Sequence, residues 1–339
     1  MTTTLDDSDW GRNTDHRTRE KSTGGIDPTR ELRIRAAWLY YVEGLTQQDT
    51  AKELGINRVQ VTRLLADARK RGEVHITIDN EIASLIEVEQ ALQTTFGIAK
   101  AMVAPIPEST ADPTRVIAAL AGQYISDTVT SDMKIGVGWG RTLYSSLPHI
   151  RGRQLKGVRV ISLLGGISQA KRFNPAEFAW QFAELFGGEG YLVPAPALVD
   201  SPETKHALLE RCGINQIFDQ ADNLDLALLS AGGISGITTS YRLGHLTEAE
   251  RMSLVEAGAV GDVLYNFISE TGEPVDHNVN ERGISAGLER LQGAKQRVLI
   301  SGGREKTKVL LGCVRKLKPT VFITDEWTAK SMLSLAADG

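Results

Sequence analysis

From Arg30 to Gly72 apolar residues recur at helical spacing, broken by capping and turn residues. Arg30 to Glu43 carries Leu32, Ala36, Leu39 and Tyr40 on one face, with Tyr41 also expected in the core, and Gly44 stops the helix. Thr46, with Asp49 three residues on, makes a T-x-x-D capping pattern for a second helix. Within that helix Ala51 permits close approach and Leu54 points inward. Gly55 supplies a sharp turn, and Asn57 caps a third helix, RVQVTRLLADARKR, that ends at Gly72. At about 100° per residue, Val61, Leu64, Leu65 and Ala68 form one stripe. Val59, Arg63 and Lys70 project from the opposite side, with Gln60 and Thr62 on the flanks. The strand EVHITID that follows is expected to form a wing or to lead out of the head.

Farther on the pattern changes. Glu81 to Phe96 is amphipathic through Ile82, Leu85, Ile86 and Leu92, ends at Gly97, and reads as a linker or oligomerisation helix. Beyond it short apolar runs alternate with helical ones. AKAMVAP, MKIGVGW, VRVISLL, GYLVPA, LDLALLSA, AVGDVLYNFI, RVLISG and PTVFITD read as strands. TRVIAALAGQYISDTVT, PAEFAWQFAELFG, SPETKHALLERC and KTKVLLGCVRKL read as the helices among them. The expected fold is therefore α/β: an N-terminal winged helix-turn-helix followed by a doubly wound sheet flanked by helices. The expected boundaries are a polar arm over residues 1–28, the head over 29–80, the linker helix over 81–97 and the larger domain over 98–339.

Net charge, -4 for the whole chain, argues against a nucleic-acid partner until its distribution is considered. Between Pro28 and His75 nine Lys and Arg face six Asp and Glu, so the head is +3 and the remainder -7. On the third helix Arg63 suits a guanine edge, Gln60 an adenine and Val59 a thymine methyl. Arg69, Lys70 and Arg71 suit phosphates. The candidate contacts to double-stranded operator DNA are Thr46, Gln47, Asn57, Arg58, Val59, Gln60, Thr62, Arg63 and Lys70. A three-helix protein-binding module with an ordinary solvated face is the competing interpretation.

At 41% hydrophobic and 24% charged residues the chain has the profile of a globular protein with a sizeable core. No apolar run approaches the ~18 residues of a membrane span, and the first 25 residues or so lack an apolar signal core. Cys212 and Cys313 form no disulfide framework, and the six histidines show no metal-ligand spacing. These features lead to a cytoplasmic protein with no metal, no cofactor and no membrane partner.

Several strand ends are rich in glycine. GVGWGRTL places Gly136, Gly138 and Gly140 between a strand and the helix from Arg141. GGIS at Gly165, SAGGIS at Ser230 and SGGREK at Ser301 are read as repeats of that arrangement. Backbone N–H groups exposed at such turns suit phosphate or hydroxyl oxygens, and in open α/β sheets ligands bind beyond the carboxyl ends of the strands. Neither a G-x-G-x-x-G fingerprint nor a G-x-x-x-x-G-K-[ST] loop is present, which disfavours a nucleotide.

Over residues 30 to 336 the ordered landmarks LTQQDTAKELGINRVQVTRLLADARKRGEVHI, GVGWGRTL, SLLGGIS, PAPALVDSPETKHALL, GAVGDVLYNF, SGGREK and ITDEWTA resemble the SorC/DeoR-type family of sugar-responsive bacterial transcription regulators. The stretch DVLYNFISETGEPVDHNVNER is most similar to the erythritol-catabolism branch. The resemblance implies a sensor domain akin to ribose-phosphate isomerases and glucosamine-phosphate deaminases. It also implies a homo-oligomer, dimer or tetramer, and DNA affinity switched by a phosphorylated sugar or sugar alcohol. Carried onto this chain, the effector site draws on Gly138, Gly140, Arg141, Thr142, Gly165, Gly166, Asp262 and Lys306, with Asn266 and His277 adding polarity. Asp262 would accept sugar hydroxyls and Lys306 would meet the phosphate. The rival interpretation is a sugar-phosphate isomerase or deaminase with an appended helix-turn-helix, in which Asp262 with Lys306 or His277 supplies a base.

Overall fold

The computed structural model describes residues 28–74, 80–106, 112–167, 174–235 and 246–337. The expected wing, over 75–79, and the polar arm up to residue 27 lie outside these residues. The chain divides into two compact units, Met1–Ile78 and Asp79–Gly339.

The first unit contains α1 (Pro28–Tyr41), α2 (Gln47–Leu54) and α3 (Arg58–Lys70). Ala37, Ala51, Val61, Leu65 and Ala68 make its core, with Tyr40, Ile56 and Val74 packed around them. Small residues dominate because three short helices must approach closely over a small buried volume. Tyr41 departs from expectation: it is exposed and packs edge-on against Tyr40 at 4.9 Å. Arg33 departs in the opposite sense. It is buried and grips Glu73 with two hydrogen bonds of 2.8 and 2.7 Å, so it is not part of the solvated basic face.

The second unit begins with α4 (Asn80–Phe96), which packs along β1 (Lys100–Ala104) and the last helix of the chain, α14 (Glu326–Ala337). Leu92 is fully buried there, and the Glu89 carboxylate accepts the Val103 N–H at 2.8 Å. The helix expected as a linker is thus built into the larger unit at its sheet edge. Between α4 and α14 run α5 (Thr114–Thr128), β2 (Lys134–Val137), α6 (Arg141–Ser146), β3 (Arg159–Ser162), α7 (Pro175–Leu185) and β4 (Glu189–Tyr191). There follow α8 (Pro202–Arg211), α9 (Ile214–Asp219), β5 (Leu226–Leu229), β6 (Ala231–Gly233), α10 (Glu248–Glu256), β7 (Gly261–Val263) and β8 (Asn266–Ile268). The remainder is α11 (Asn278–Arg282), α12 (Leu288–Leu291), β9 (Gln296–Ile300), α13 (Thr307–Leu317) and β10 (Val321–Asp325).

Seven strands form one parallel sheet in the order β1-β10-β9-β5-β2-β3-β4. Along the central strands the side chains alternate between two buried cores. Leu226 and Leu228 enter one core while Ala227 and Leu229 enter the other; Val298 and Ile300 oppose Leu299, and Val321 and Ile323 oppose Phe322. A strand covered on both faces reads as a continuous apolar run, which is why these segments lack an apolar/polar alternation. From β2 the chain moves to β3 and β4 on one side, then returns to build β5, β9 and β10 on the other. The crevice between β2 and β5 is therefore the switch point where open α/β sheets bind ligands.

Two expectations are corrected. AVGDVLYNFI is not one strand but the antiparallel hairpin β7–β8, turning at Leu264 and Tyr265 with φ of 53° and 59°. Asp262 accepts the Tyr265 N–H, which favours this tight turn over the continuous strand that the apolar run suggests. SAGGIS, read as a strand-to-helix turn, supplies β6, which leaves the main sheet and pairs with β7. Gly232 lies opposite Asp262, where a Cβ would stand 2.4 Å from the carboxylate. The glycine is needed to admit that side chain rather than to make a turn.

Candidate DNA-binding helix and effector site

Thr46 caps α2, accepting the Asp49 N–H at 3.2 Å, and Gly55 closes it at φ 66°. Asn57 and Gln60 form a full capping box at the start of α3: Gln60 N–H to Asn57 at 2.8 Å and Asn57 N–H to Gln60 Oε1 at 3.1 Å. The Thr62 hydroxyl donates to Gln47 Oε1 at 3.1 Å, tying α2 to α3. Thr46, Gln47, Asn57, Gln60 and Thr62 thus shape the motif, and Gln60 has its acceptor oxygen engaged, which a two-bond adenine contact would need. Arg58, Val59, Arg63, Arg69 and Lys70 are exposed. Among the described residues none of these four cations is ion-paired. Val59 is 60% exposed, an apolar residue held in solvent at the first turn of the helix.

In the second unit the carboxyl ends of β2, β5 and β9 lie side by side. Gly138 N–H pairs with Leu228 O at 2.8 Å, joining the β2 turn to β5. Gly140 starts α6 at φ 133°, with Ser230 from the end of β5 beside it. Arg141 and the buried Thr142 follow. From the end of β9, Gly303 at φ 110° turns the chain toward Lys306. Its N–H is held by Asp325 at 3.0 Å and by the Thr328 hydroxyl at 2.8 Å. The Lys306 side chain is half-buried and makes no ion pair or hydrogen bond among the described residues. Its sequence neighbours Arg304 and Lys308 line a different, open groove of about 740 Å³ with Arg251, Val255 and Leu335.

The charges around Lys306 define what this place can hold. Burial pushes its ammonium below the ordinary lysine range; Glu305 counters this, Arg141 adds like-charge repulsion, and Asp112 and Asp262 pull the other way. Arg141 pairs with Asp112, Nη1 to Oδ2 at 3.0 Å. Asp262 is buried on β7. Two cations among the three carboxylates of Glu305, Asp112 and Asp262, with an adjoining Gly140 turn, can receive an anionic group at one end and hydroxyls at the other.

Gly140, Arg141 and Thr142 follow β2 and Lys306 follows β9 at the carboxyl end of the main sheet, and Asp262, on the small sheet, reaches Lys306 through its charge. Gly165 and Gly166 have their N–H groups committed to Ile284 O and Ala195 O, at 2.9 and 2.8 Å, so they brace a neighbouring wall. Asn266 donates to Val263 O, Leu264 O and Ser285 Oγ, holding the hairpin turn. His277 caps α11 through Nδ1 and meets Ser253 through Nε2 at 2.8 Å. Trp139 is core, stacked on Tyr265 at 5.5 Å. Sequence reading missed Asp112 and Asp325. Asp325 had a legible signal, D-x-x-T at a helix start, and its carboxylate does accept the Thr328 N–H at 3.0 Å. Asp112 had a local signal for its bond to Thr114, D-P-T at a helix start, and none for its pairing with Arg141, which is distant in sequence. Among the described residues no His, Cys, Asp and Glu cluster suits a metal ion, and no helix is long and apolar enough to cross a membrane.

Residues 80–334 match the sugar-binding domain family (Sugar-bind), and residues 27–75 match the homeodomain-like domain family. The deoxyribonucleoside regulator of Bacillus subtilis (strain 168) is 30% identical over 90% of this chain and 97% of its own length. The erythritol catabolism regulatory protein EryD of Brucella abortus (strain 2308) is 28% identical over 91% of this chain and 98% of its own. These near-equal identities do not single out the erythritol branch. The crystal structure of the full-length sorbitol operon regulator SorC from Klebsiella pneumoniae matches with a TM-score of 0.68 at 26% identity, covering 91% of this chain and 100% of that one. All three similar proteins are named as regulators. With a helix-turn-helix ahead of a mostly parallel α/β sugar-binding domain, this chain belongs to the SorC/DeoR-type family of transcription regulators.

Proposed function

We propose that this protein is a cytoplasmic regulator of a sugar or sugar-alcohol catabolic operon, binding operator DNA as a homo-oligomer and switched by a phosphorylated effector. The observation that carries the effector class is Lys306: a half-buried ammonium without an ion pair or hydrogen bond among the described residues, near enough to Arg141 to be repelled by it, at the carboxyl end of the sheet. A phosphate there relieves both the desolvation and the like-charge repulsion, and the carboxylate of Asp262 accepts hydroxyls of the sugar. The DNA reading rests on the exposed basic face of α3, without ion pairs among the described residues, where Arg58 and Arg63 reach bases and Arg69 and Lys70 reach phosphates.

The switch acts through the elements that the ligand touches. Lys306 follows a turn fixed by Asp325 of β10, β10 pairs with β1, and β1 is held by Glu89 of α4, the helix that opens this unit. A differential affinity of about 1–3 kcal/mol between two arrangements of these elements gives a 5- to 150-fold change in DNA binding. The test is fluorescence anisotropy of the full chain on its own upstream DNA, with phosphorylated and free forms of tetritols, pentitols and pentoses. A change with one phosphorylated compound and none with its free form is the expected result. A response to free sugar alone overturns the phosphate assignment, and no DNA binding in any condition overturns the regulator.

A further inference from the structure

Asp112, just ahead of α5, is held as a bound anion would be. Arg141 grips its carboxylate with both terminal guanidinium nitrogens, Nη1 to Oδ2 at 3.0 Å and Nη2 donating to Oδ1 at 3.2 Å. Thr114 donates its N–H at 3.0 Å and its hydroxyl at 2.6 Å to Oδ1, at the first turn of a 15-residue helix. Burial pushes this carboxyl up, but the two Thr114 bonds and the charges of Arg141 and Lys306 carry it below the usual aspartate range. A guanidinium fork, a backbone N–H at a helix start, a hydroxyl and a nearby ammonium are together the donor set that recognises phosphate.

A side chain of the protein itself occupies that donor set. The Asp112 and Arg141 side chains remain 55% and 44% exposed, so exchanging one anion for another needs a rotamer change and no opening of the core. We propose that Asp112 is a tethered competitor for the effector's anionic group: it holds Arg141 in the empty protein and is displaced when the effector binds. This rests on the reading of Arg141 and Lys306 as the effector's anion site. Occupancy by Asp112 multiplies the intrinsic affinity by the fraction of molecules in which Arg141 is free, and so sets the effector concentration at which the regulator responds. Displacement also removes the Arg141 bond at the start of α5, giving the site two distinct local states.

Calorimetric titration of the full chain with inorganic phosphate tests this on wild type, Asp112→Asn, Glu305→Gln and Lys306→Ala. Asn keeps the acceptor for Thr114 and loses the charge that holds Arg141. For a half-exposed ion pair, Asp112→Asn should tighten phosphate by about fivefold. Glu305→Gln, which removes a carboxylate near Lys306 without releasing Arg141, should tighten it less. Saturable binding to Asp112→Asn where wild type gives none has the same meaning as tightening. Equal gains in the two variants overturn the proposal in favour of general charge, as does unchanged or weaker binding to Asp112→Asn. If Lys306→Ala abolishes binding while Asp112→Asn changes nothing, the competitor fails and the anion site stands. If no variant binds differently from wild type, both fail.

Discussion

Replacing Lys306 by Met should make the empty protein more stable and the effector response vanish. Met has a similar reach and no charge to desolvate. Lys306 is half-buried without an ion pair among the described residues, and its ammonium is pushed below the ordinary range by burial and by Arg141. A site held in readiness for a ligand is a place where stability is given up for function, and removing such a charge is worth about 1 kcal/mol. For a domain the size of Asp79–Gly339 that corresponds to roughly 2–4 °C in Tm. The linkage has a definite sign. Because the folded-state pKa is lowered, the penalty is complete below that pKa and fades as pH rises from it toward the unfolded value. Wild type should therefore gain on Lys306→Met with rising alkaline pH, in that window only. A ligand at 100 times its Kd stabilises wild type by about 2.7 kcal/mol, and the Met variant should show no such shift with inorganic phosphate. Calorimetric melts of both proteins with and without phosphate measure all of this. A Tm several degrees lower in Lys306→Met would refute the argument, because it would mean that Asp112, Glu305 and Asp262 more than repay the desolvation.

Gln60→Ala should behave as the loss of a cap, lowering the melting stability of the first unit by about 1 kcal/mol without changing preference at any one base pair, since Gln60 Oε1 serves Asn57; a base-specific loss in a binding-site selection would contradict this. Arg63→Ala should weaken operator binding by about 1–3 kcal/mol and relax preference at one position. Lys70→Ala should weaken all sequences alike and reduce the salt slope by about one; anisotropy titrations at several salt concentrations separate the two. Gly302→Ala should destabilise the second unit by about 1–3 kcal/mol, because its Cβ would fall 2.2 Å from the Asp325 carboxylate and 2.6 Å from Ile117. An unchanged denaturant midpoint for that variant would show the turn to be more yielding than the packing suggests.

The head was legible because its signals are local. Thr46 with Asp49, Gly55 and Asn57 lie within four residues of what they cap or turn, and of the stripe Val61, Leu64, Leu65 and Ala68 all but the half-buried Leu64 are buried. Gln60, read from the sequence only as a contact to adenine, completes the capping box of α3 with Asn57. In the second unit the apolar runs marked the strands of the main sheet. They could not separate one strand from a hairpin in AVGDVLYNFI, since a fully buried segment carries no alternation to mark where it turns.

The site divides in the same way. Residue order alone determined that strands end in glycines and polar groups, that Lys306 follows such a turn, and that the head is basic while the rest is acidic. These are properties of neighbours along the chain, governed by steric and capping preferences that act within a turn or two. Strand order was decided only in three dimensions, and with it the pairing of Asp112 with Arg141, the enclosure of Asp262 opposite Gly232, and the commitment of Gly165 and Gly166 to backbone partners. Those contacts join segments far apart in sequence, and loop closure makes their formation depend on the whole sheet rather than on any local pattern. Which polar group is satisfied by the protein and which is left to a ligand is a property of that closed arrangement.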